Sequence, residues 1–459
     1  MAEPYLERED KFDVEPGFTL PELPAPDGTE LRRAQHQLRS VYYDTADRAL
    51  LRARMTLRRR SGSTDAGWQL KIPHAPAREE IRRPDAPVLP AELAGLLLGV
   101  GRGQPLLPVA VLDTTRTTLE LLAGDGQRLC EIADDTVHAS ASGDGAVASA
   151  WREVEIELGP AGDERLLAEL GSTLMAAGAR RSAAASKLAR ALGVVDGDPA
   201  GAVPAYLLEQ QRVMLAGDLA LRRNDDTVIH KTRVAIRRFR STLRVFCDRS
   251  ATAGLDEELR WLAGVLGEVR DRQVMRRRLL GLVDELPDTE VLGPVRTRIE
   301  VTLDGELAEA WRRLSDVLTS ERYLALLAAV DAFVAAIPAE TDRAGLRKRM
   351  RRAERTVERR LRHTGGDPLR IHRARKAAKR ARYAGELAGP VLGRKAVAQA
   401  GRNEGRQDLL GEHQDSVLTA RLLLRLGQLA GSTAGENGFT FGLLYERELQ
   451  RGAAIRAEL

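Results

Sequence analysis

Between residue 5 and about residue 158, apolar and polar side chains alternate in short segments divided by Gly, Asp and Pro. This period-two pattern is the signature of half-buried strands. The clearest runs are 5-YLEREDKFDV-14, 56-TLRRRS-61, 68-WQLKIP-73, 114-TTRTTLEL-121, 128-RLCEIADDTV-137 and 151-WREVEIEL-158. Apolar runs at helical spacing predict a short helix over 90–99 and helices over 163–177 and 183–192. From Pro204 the alternation stops. Long stretches rich in Leu, Ala, Arg and Glu follow, broken by turns at 287-PDT, 365-GGDP and 431-GSTAGENG. They predict an all-helical second half. The expected fold class is α+β and multidomain, with antiparallel strands in residues 1–195, a linker 196-DGDPAGAVP-204, and helices in 205–459.

The polar faces of the predicted strands are sorted by charge. Glu7, Glu9 and Lys11 share one face, as do Arg58 and Arg60, while Lys71 and Arg116 stand alone on theirs. Glu131 and Asp135 share another, and Glu153, Glu155 and Glu157 follow at i, i+2, i+4. Solvent explains any one such face. Three glutamates in a row repel one another, however, and need cations or water between them. Closing these strands into a barrel gives a charged interior, with carboxylates for a divalent cation and Arg/Lys for an oxyanion. Oxygen donors without His or Cys suit Mg²⁺ or Mn²⁺ rather than Zn²⁺.

In the helical half, 230-HKTRVAIRRFRSTLR-244 carries Lys231, Arg233, Arg237, Arg238, Arg240 and Arg244 with no acid, proline or glycine. His230, Arg233, Arg237, Arg240 and Arg244 fall within an arc of roughly 80° on a helical wheel. The pattern recurs 142 residues later in 372-HRARKAAKRARYAG-385, where His372, Arg375, Lys379 and Arg382 trace the same arc beside Lys376. A second repeat follows, 266-LGEVRD-271 and 410-LGEHQD-415. Duplicated helical bundles about an approximate two-fold axis would bring both stripes to one central surface. Like charges at i, i+4 destabilise a helix, so a first stripe without acids, and a second with only Glu386 at its far end, predict an anionic ligand.

Charge divides the same way, −7 over residues 1–200 and +12 over 201–459. Cys130 and Cys247 lie far apart, in different halves, and form neither a disulfide framework nor a metal motif, which fits a reducing compartment. MAEPYLERED is acidic without an apolar core, so no signal peptide is expected. The apolar window 324–337 is too short for a bilayer and is interrupted by Asp331. A cytoplasmic location follows as the expectation.

The ordered set E-x-E-x-K, paired arginines, Lys71, Arg116, the Asp135 region, E-x-E-x-E and Ser186-Lys187 resembles a CYTH domain over residues 1 to about 195. The resemblance implies an eight-stranded antiparallel tunnel acting on triphosphate compounds, as in inorganic triphosphatases, thiamine triphosphatases or class IV adenylate cyclases. It implies Glu7, Glu9, Glu155 and Glu157 as ligands of Mg²⁺ or Mn²⁺, supported by Glu153 and Asp135. Lys11, Arg58, Arg60, Lys71, Arg116 and Lys187 would grip the phosphates, and Glu7, Glu9, Lys11 and Glu155 would form the catalytic set. Of the adjacent pairs Asp134/Asp135 and Glu79/Glu80, Asp135 and Glu80 are taken to face inward.

H-K-x-R-V-x-x-R-R-x-R and H-R-x-R-K-x-x-K-R-x-R-Y resemble a CHAD domain over about 204–450. That resemblance implies inorganic polyphosphate as partner, held by His230, Arg233, Arg237, Arg238, Arg240, His372, Arg375, Lys376, Lys379 and Arg382. The combined expectation is a polyphosphate-binding protein with a metal-dependent triphosphatase tunnel. The alternative is a non-catalytic protein that binds polyphosphate and carries the chain to granules. Nucleic acid is disfavoured because the stripes hold few aromatics to stack bases and no recognition motif is present. A P-loop kinase is disfavoured by the lack of G-x-x-x-x-G-K-[ST].

Overall fold

The protein is described by a computed structural model over residues 5–24, 28–62, 66–74, 77–141, 148–194, 200–338, 342–365 and 367–457. The chain forms two compact units, residues 1–197 and 198–459.

In the first unit the strands are β1 (Tyr5–Glu7), β2 (Glu9–Val14), β3 (Glu30–Asp44), β4 (Thr56–Ser61), β5 (Gly67–His74), β6 (Ala77–Arg83), β7 (Leu107–Leu122), β8 (Arg128–Ala141), β9 (Ala148–Leu158) and β10 (Arg180–Arg181). They form one antiparallel sheet in the order β1-β6-β5-β4-β3-β7-β8-β9-β2-β10. β1 and β2 are separated in sequence only by Arg8, yet they lie at opposite ends of this order. β1 pairs with β6 and β2 with β9. The segment 5–14 therefore ties the two ends together, and the sheet must curl into a tunnel. Counted as one, β1/β2 and the seven strands β3–β9 make the eight expected, and the two-residue β10 adds only a short edge.

Alternation decides what faces where. Phe12, Cys130, Ile132, Val154 and Ile156 point outward and pack against Leu166, Leu170 and Leu174 of α3 (Glu164–Ala176). A Cβ on Gly171 would lie 3.1 Å from Phe12 Cζ, so the glycine sets how closely α3 seats on the sheet. Toward one end the inward faces become apolar. There Leu112, Val137 and Ala139 pack with Leu188, Ala189 and Ala191 of α4 (Lys187–Ala191), filling that end of the interior. The short helices α1 (Ala49–Arg52) and α2 (Ala91–Leu97) complete the unit, of which α2 was expected and α1 was not.

The second unit is helical: α5 (Ala202–Arg222), α6 (Ile229–Phe246), α7 (Ala253–Asp284), α8 (Val295–Thr319), α9 (Glu321–Ala336), α10 (Arg343–Leu361), α11 (Pro368–Leu392), α12 (Arg394–Gly431) and α13 (Phe439–Ala457). α5 takes up 202–204, assigned to the linker from sequence, because Pro204 sits in its first turn, where no N–H donor is required. Residues 195–199 lie outside the described residues.

Helices α5–α9 share one core, small cores join α10, α11 and α12, and the end of α7 and start of α8 pack with α12 and α13 in another. In α6 the residues Ile229, Thr232, Ala235, Ile236, Phe239, Leu243 and Phe246 are buried at helical spacing, which leaves the basic positions for the opposite side. α11 instead buries alanines, Ala374, Ala377, Ala378, Ala381 and Ala384, so its neighbours approach closely. α6 and α11 pack against each other, bringing the two basic segments together. Among the described residues no helix is long and apolar enough to cross a membrane.

Candidate functional site

The tunnel encloses a cavity of about 420 Å³ whose lining includes nine lysines and arginines against five glutamates. Strands β4, β5 and β6 supply the cationic wall: Arg58 and Arg60, then Lys71, then Arg78 and Arg82. Period two fixes this, since inward residues alternate with outward Leu57, Leu70 and Ile81, all buried. Arg58 donates from Nε to Gln69 Oε1 at 2.7 Å and from Nη1 to Tyr42 Oη at 3.1 Å. Burial would lower the Arg58 pKa, but Tyr42 and Glu80 outweigh it and raise it. The same contact works on the phenol: burial pushes Tyr42 up, and Arg58 and Arg60 bring it below its ordinary value. Glu80, on the same wall, is buried yet held below the usual carboxylate range by Lys71, Arg58 and Arg82.

The opposite wall is acidic. Asp135 (β8), Glu153 and Glu155 (both β9) have carboxylate oxygens within 4.8 Å of one another. Ser186 caps α4 by accepting from Ala189 N at 3.1 Å, and the cap directs Lys187, the first helical residue, into this cluster. Lys187 Nζ lies 2.5 Å from Glu153, 2.8 Å from Glu155 and 3.1 Å from Asp135. Arg116 grips Asp135 through two bonds, at 2.8 and 2.6 Å, and reaches Glu155 at 3.1 Å. Lys11 binds Glu155 at 2.7 Å and Glu9 at 3.0 Å. Burial would raise Glu155 and Asp135, but these cations hold Glu155 well below its ordinary range and Asp135 below it as well. Lys187 and Lys11 are raised in return, their carboxylates overcoming a burial that favours the neutral amine.

A second acidic feature emerges from strand register. Glu9 (β2) lies opposite Glu157 (β9), Glu157 opposite Glu131 (β8), and Glu131 opposite Glu120 (β7). Directly opposed side chains of this kind are about 5 Å apart at Cβ, and like charges there are destabilising. Arg128 approaches both Glu131, at 3.3 Å, and Glu157, at 3.8 Å.

Carboxylate oxygens alone are the donor set of Mg²⁺ or Mn²⁺. Among the described residues the cluster with metal-ligand spacing is Asp135–Glu153–Glu155, and the Lys187 ammonium already stands among its oxygens. Glu153 further accepts from Trp151 Nε1 at 2.5 Å.

Of the residues singled out from sequence, Lys11, Arg58, Arg60, Lys71, Arg116, Glu155, Glu157 and Lys187 line the cavity. Asp135 and Glu153 are buried behind it, and Glu9 is tied to Lys11. Asp134 points outward to Arg152, at 2.7 Å, while Asp135 points inward. Glu7 pairs in β1 opposite Arg78, and its side chain lies outside the described residues. His36, Arg78, Arg82, Glu120 and Arg128 also line the cavity but were not picked out. The signal is available for four of them, each an even number of residues from an inward position on its strand or opposite one in register; Arg128 is three residues from Glu131 and lies beyond a register shift at Leu121/Leu122, so alternation does not give it.

The basic stripes divide into two groups. Arg238 of α6 binds Glu386 at 2.9 Å, and Arg382 of α11 binds Glu386 and Glu404, each at 2.8 Å. Arg240 and Arg244 share Asp256 of α7. Apart from the i, i+4 pair Arg382–Glu386 within α11, these side chains are paired with acids that other helices supply, which local sequence could not reveal.

Arg237, Arg375 and Lys379 form the other group. The Nε atoms of Arg237 and Arg375 are buried without a hydrogen-bond partner among the described residues. Burial, then Arg375, Arg237 and Arg233, bring Lys379 down to about 7. His230 and His372 flank this group, each lowered by burial and by neighbouring cations, and Lys376 is exposed beside it. Arg233 pairs with Asp271 at 2.6 Å. The repeated Leu-Gly-Glu-x-x-Asp segments serve this arrangement twice: a Cβ on Gly267 would meet Arg233 Nη2 at 2.8 Å, and one on Gly411 would meet Arg375 Nη2 at 3.4 Å.

Comparison with known proteins gives matches to the models of a CYTH domain over residues 6–192 and a CHAD domain over 205–424. An uncharacterised protein of Mycobacterium tuberculosis, MT2285, is 35% identical over 99% of this chain and 95% of its own length. Among solved structures, PptA from Streptomyces chartreusis is 20% identical with TM-score 0.47, over 56% of this chain and 96% of that one. The CHAD domain from the plant Ricinus communis is 25% identical with TM-score 0.46, over 57% and 92%.

Proposed function

We propose, for a chain that belongs to the family joining a CYTH domain to a CHAD domain, that the tunnel hydrolyses a linear triphosphate such as tripolyphosphate and that the helical unit binds inorganic polyphosphate. The observation that carries the first part is the division of one cavity into a cationic wall on β4–β6 and a carboxylate wall on β2, β9, β8 and β7. Arg58, Arg60, Lys71 and Arg82 would take the non-reacting phosphates, with the excess of cations compensating substrate charge. Arg116, Lys11 and Lys187 stand across from them, positioned to bind the equatorial oxygens of the phosphoryl group under attack, where charge is spread in the transition state. A divalent ion held by Glu9, Glu155 and Glu157 would withdraw further charge from that group. A carboxylate of the same wall, left ionised at neutral pH, would orient the attacking water.

Polyphosphate binding by the helical unit is supported by Arg237, Arg375 and Lys379, a cationic group left short of acids where α6 and α11 meet. A phosphate polymer would supply the missing acceptors. Association with polyphosphate granules would follow from the same affinity.

One observation favours the non-catalytic reading. Asp135, Glu153 and Glu155 are already neutralised by Lys187, Arg116 and Lys11, so the tunnel is electrostatically satisfied without a metal. The deciding assay incubates the full chain with tripolyphosphate, ATP or long-chain polyphosphate, with Mg²⁺ or Mn²⁺, and measures phosphate and pyrophosphate release. Turnover of tripolyphosphate that Glu155→Gln abolishes, with long-chain polyphosphate retention preserved, is the expected result. Absence of turnover on every substrate, with tight polyphosphate retention, would leave a binding protein.

A further inference from the structure

Helix α10 carries a charge pattern unlike the rest of the molecule. Arg343, Arg347, Arg351, Arg355 and Arg359 follow one another at strict i, i+4 spacing, and Lys348 and Arg352 flank them. All seven are exposed, and none forms an ion pair among the described residues. The buried residues Leu346, Met350 and Val357 occupy the opposite face. Of the two acids on the helix, Glu354 is turned to Arg406, at 2.9 Å, and to Asn403, which leaves Glu358 as the one acid on the outward side.

Solvation alone is a poor account of this face. Each like-charged i, i+4 pair costs about 0.2–0.5 kcal/mol, and the ladder contains four in succession. Several other exposed arginines of the helical unit are paired, Arg313 with Glu268, Arg322 with Glu258 and Arg425 with Glu306. Among the described residues no other helix sets five exposed arginines in one i, i+4 row.

The ladder is not isolated from the central group. Arg360 donates to the backbone carbonyl of Arg373 on α11, at 2.8 Å. Arg380, next in sequence to Lys379, has Arg360, Arg244 and Arg249 among its charged neighbours. Cationic surface thus continues from the meeting of α6 and α11, around α11, onto α10.

We infer that the outer face of α10 is a second phosphate-binding surface, a linear track of about 24 Å that engages a polyphosphate chain extending beyond the central group. The inference rests on the proposed polyphosphate binding and adds a chain-length dependence to it. The face carries no aromatic side chain for base stacking and no large apolar side chain to enter a lipid layer. Recognition there is therefore of phosphate charge and spacing alone, which a featureless linear polyanion satisfies.

The test titrates the full chain with tripolyphosphate and with long-chain polyphosphate across a salt series, for wild type, Arg347→Gln/Arg351→Gln/Arg355→Gln, and Arg237→Gln/Lys379→Gln. The α10 variant should lose at least tenfold in long-chain affinity, with a salt slope reduced by about 2 for three lost contacts, while tripolyphosphate binding is unchanged. The central variant should lose long-chain binding altogether. An α10 variant with wild-type long-chain affinity and slope overturns the inference. So does one whose only loss is in binding duplex DNA or anionic vesicles, assayed in parallel. Were wild type itself to retain no long-chain polyphosphate, the underlying reading would fall first, and the wild-type titration reports that by itself. Circular dichroism melts confirm that removing exposed charges leaves α10 folded.

Discussion

Lys379→Met should separate anion binding from stability in the helical unit. Burial, with Arg375 on its own helix and Arg237 and Arg233 on α6, lowers the Lys379 ammonium from 10.5 to about 7, and Asp415 of α12 offsets only part of this. At 1.36 kcal/mol per pH unit, holding this group charged in the free protein costs on the order of 5 kcal/mol. The sign follows from proton counting. Between about pH 7 and 10.5 the unfolded chain binds the proton that the folded chain has released, so stability rises with pH through that window. Below pH 7 the full cost is present.

A polyanion beside Lys379 restores its ordinary value, so binding takes up a proton at alkaline pH. Affinity should be greatest below pH 7 and fall by one log unit per pH unit above it, about 100-fold by pH 9. His230 and His372, held below their ordinary value, titrate on the acid side of this window. The assay is polyphosphate titration from pH 6 to 9 at constant ionic strength, with thermal melts of the free protein. The Met variant should bind more weakly at pH 6, lose the pH dependence above 7, and melt higher than wild type at pH 6. A wild-type affinity flat from pH 7 to 9, or a Met variant with an unchanged slope, would refute the reasoning.

Two further substitutions probe the packing that positions the sites. Lys187→Met leaves Asp135, Glu153 and Glu155 without their shared ammonium and should destabilise the tunnel unit by about 3–5 kcal/mol at pH 7, measured by urea denaturation. Asp135 and Glu155 have folded pKa values below the ordinary range in wild type, so wild-type stability is lost as pH falls through those values. The variant's deficit should therefore shrink toward acid pH as its carboxylates protonate. Gly385→Ala places a Cβ 2.8 Å from the Ala396 carbonyl oxygen and 3.0 Å from Ala400 N. Because backbone rather than a flexible side chain stands in the way, α11 and α12 must separate, with an expected loss of about 1–3 kcal/mol in denaturant.

The tunnel interior was legible because a strand hides little: with period two known, Glu155, Glu157 and Arg116 fall on the inner face, and Asp135 with them. What alternation cannot give is depth. Lys187 comes from a short helix, and its place among three carboxylates depends on how Ser186 caps that helix and where Leu188 packs. The break at Arg8, which sends β1 and β2 to opposite ends of the sheet, leaves no mark on the alternation of 5–14, which predicts one continuous strand. In the helical half the stripe on α6 is visible from its spacing, but Asp256 lies 16 residues from Arg240 and Glu386 lies 148 residues from Arg238. Those acids turn Arg238 and Arg240 into paired, structural charges that only three-dimensional packing discloses, whereas the i, i+4 pair Arg382–Glu386 on α11 is readable from the sequence.

The two units handle concentrated charge in opposite ways, and the difference bears on how each would meet a phosphate chain. In the tunnel every cation around Glu155 has a carboxylate partner before any ligand arrives, so an entering triphosphate must exchange one set of ion pairs for another. On that wall binding gains little from charge, the excess of cations lying across the cavity on β4–β6, and is governed by whether substrate and metal together reproduce the pairing they replace, which favours a compact ligand of fixed geometry. At the meeting of α6 and α11, by contrast, the buried Nε atoms of Arg237 and Arg375 lack acceptors among the described residues, and the Lys379 ammonium is lowered to about 7. Any chain of phosphates relieves that cost wherever it lies along the surface. Selectivity is thus expected from the first unit and avidity from the second, so a single chain could hold a long polymer by one domain while discriminating short substrates with the other.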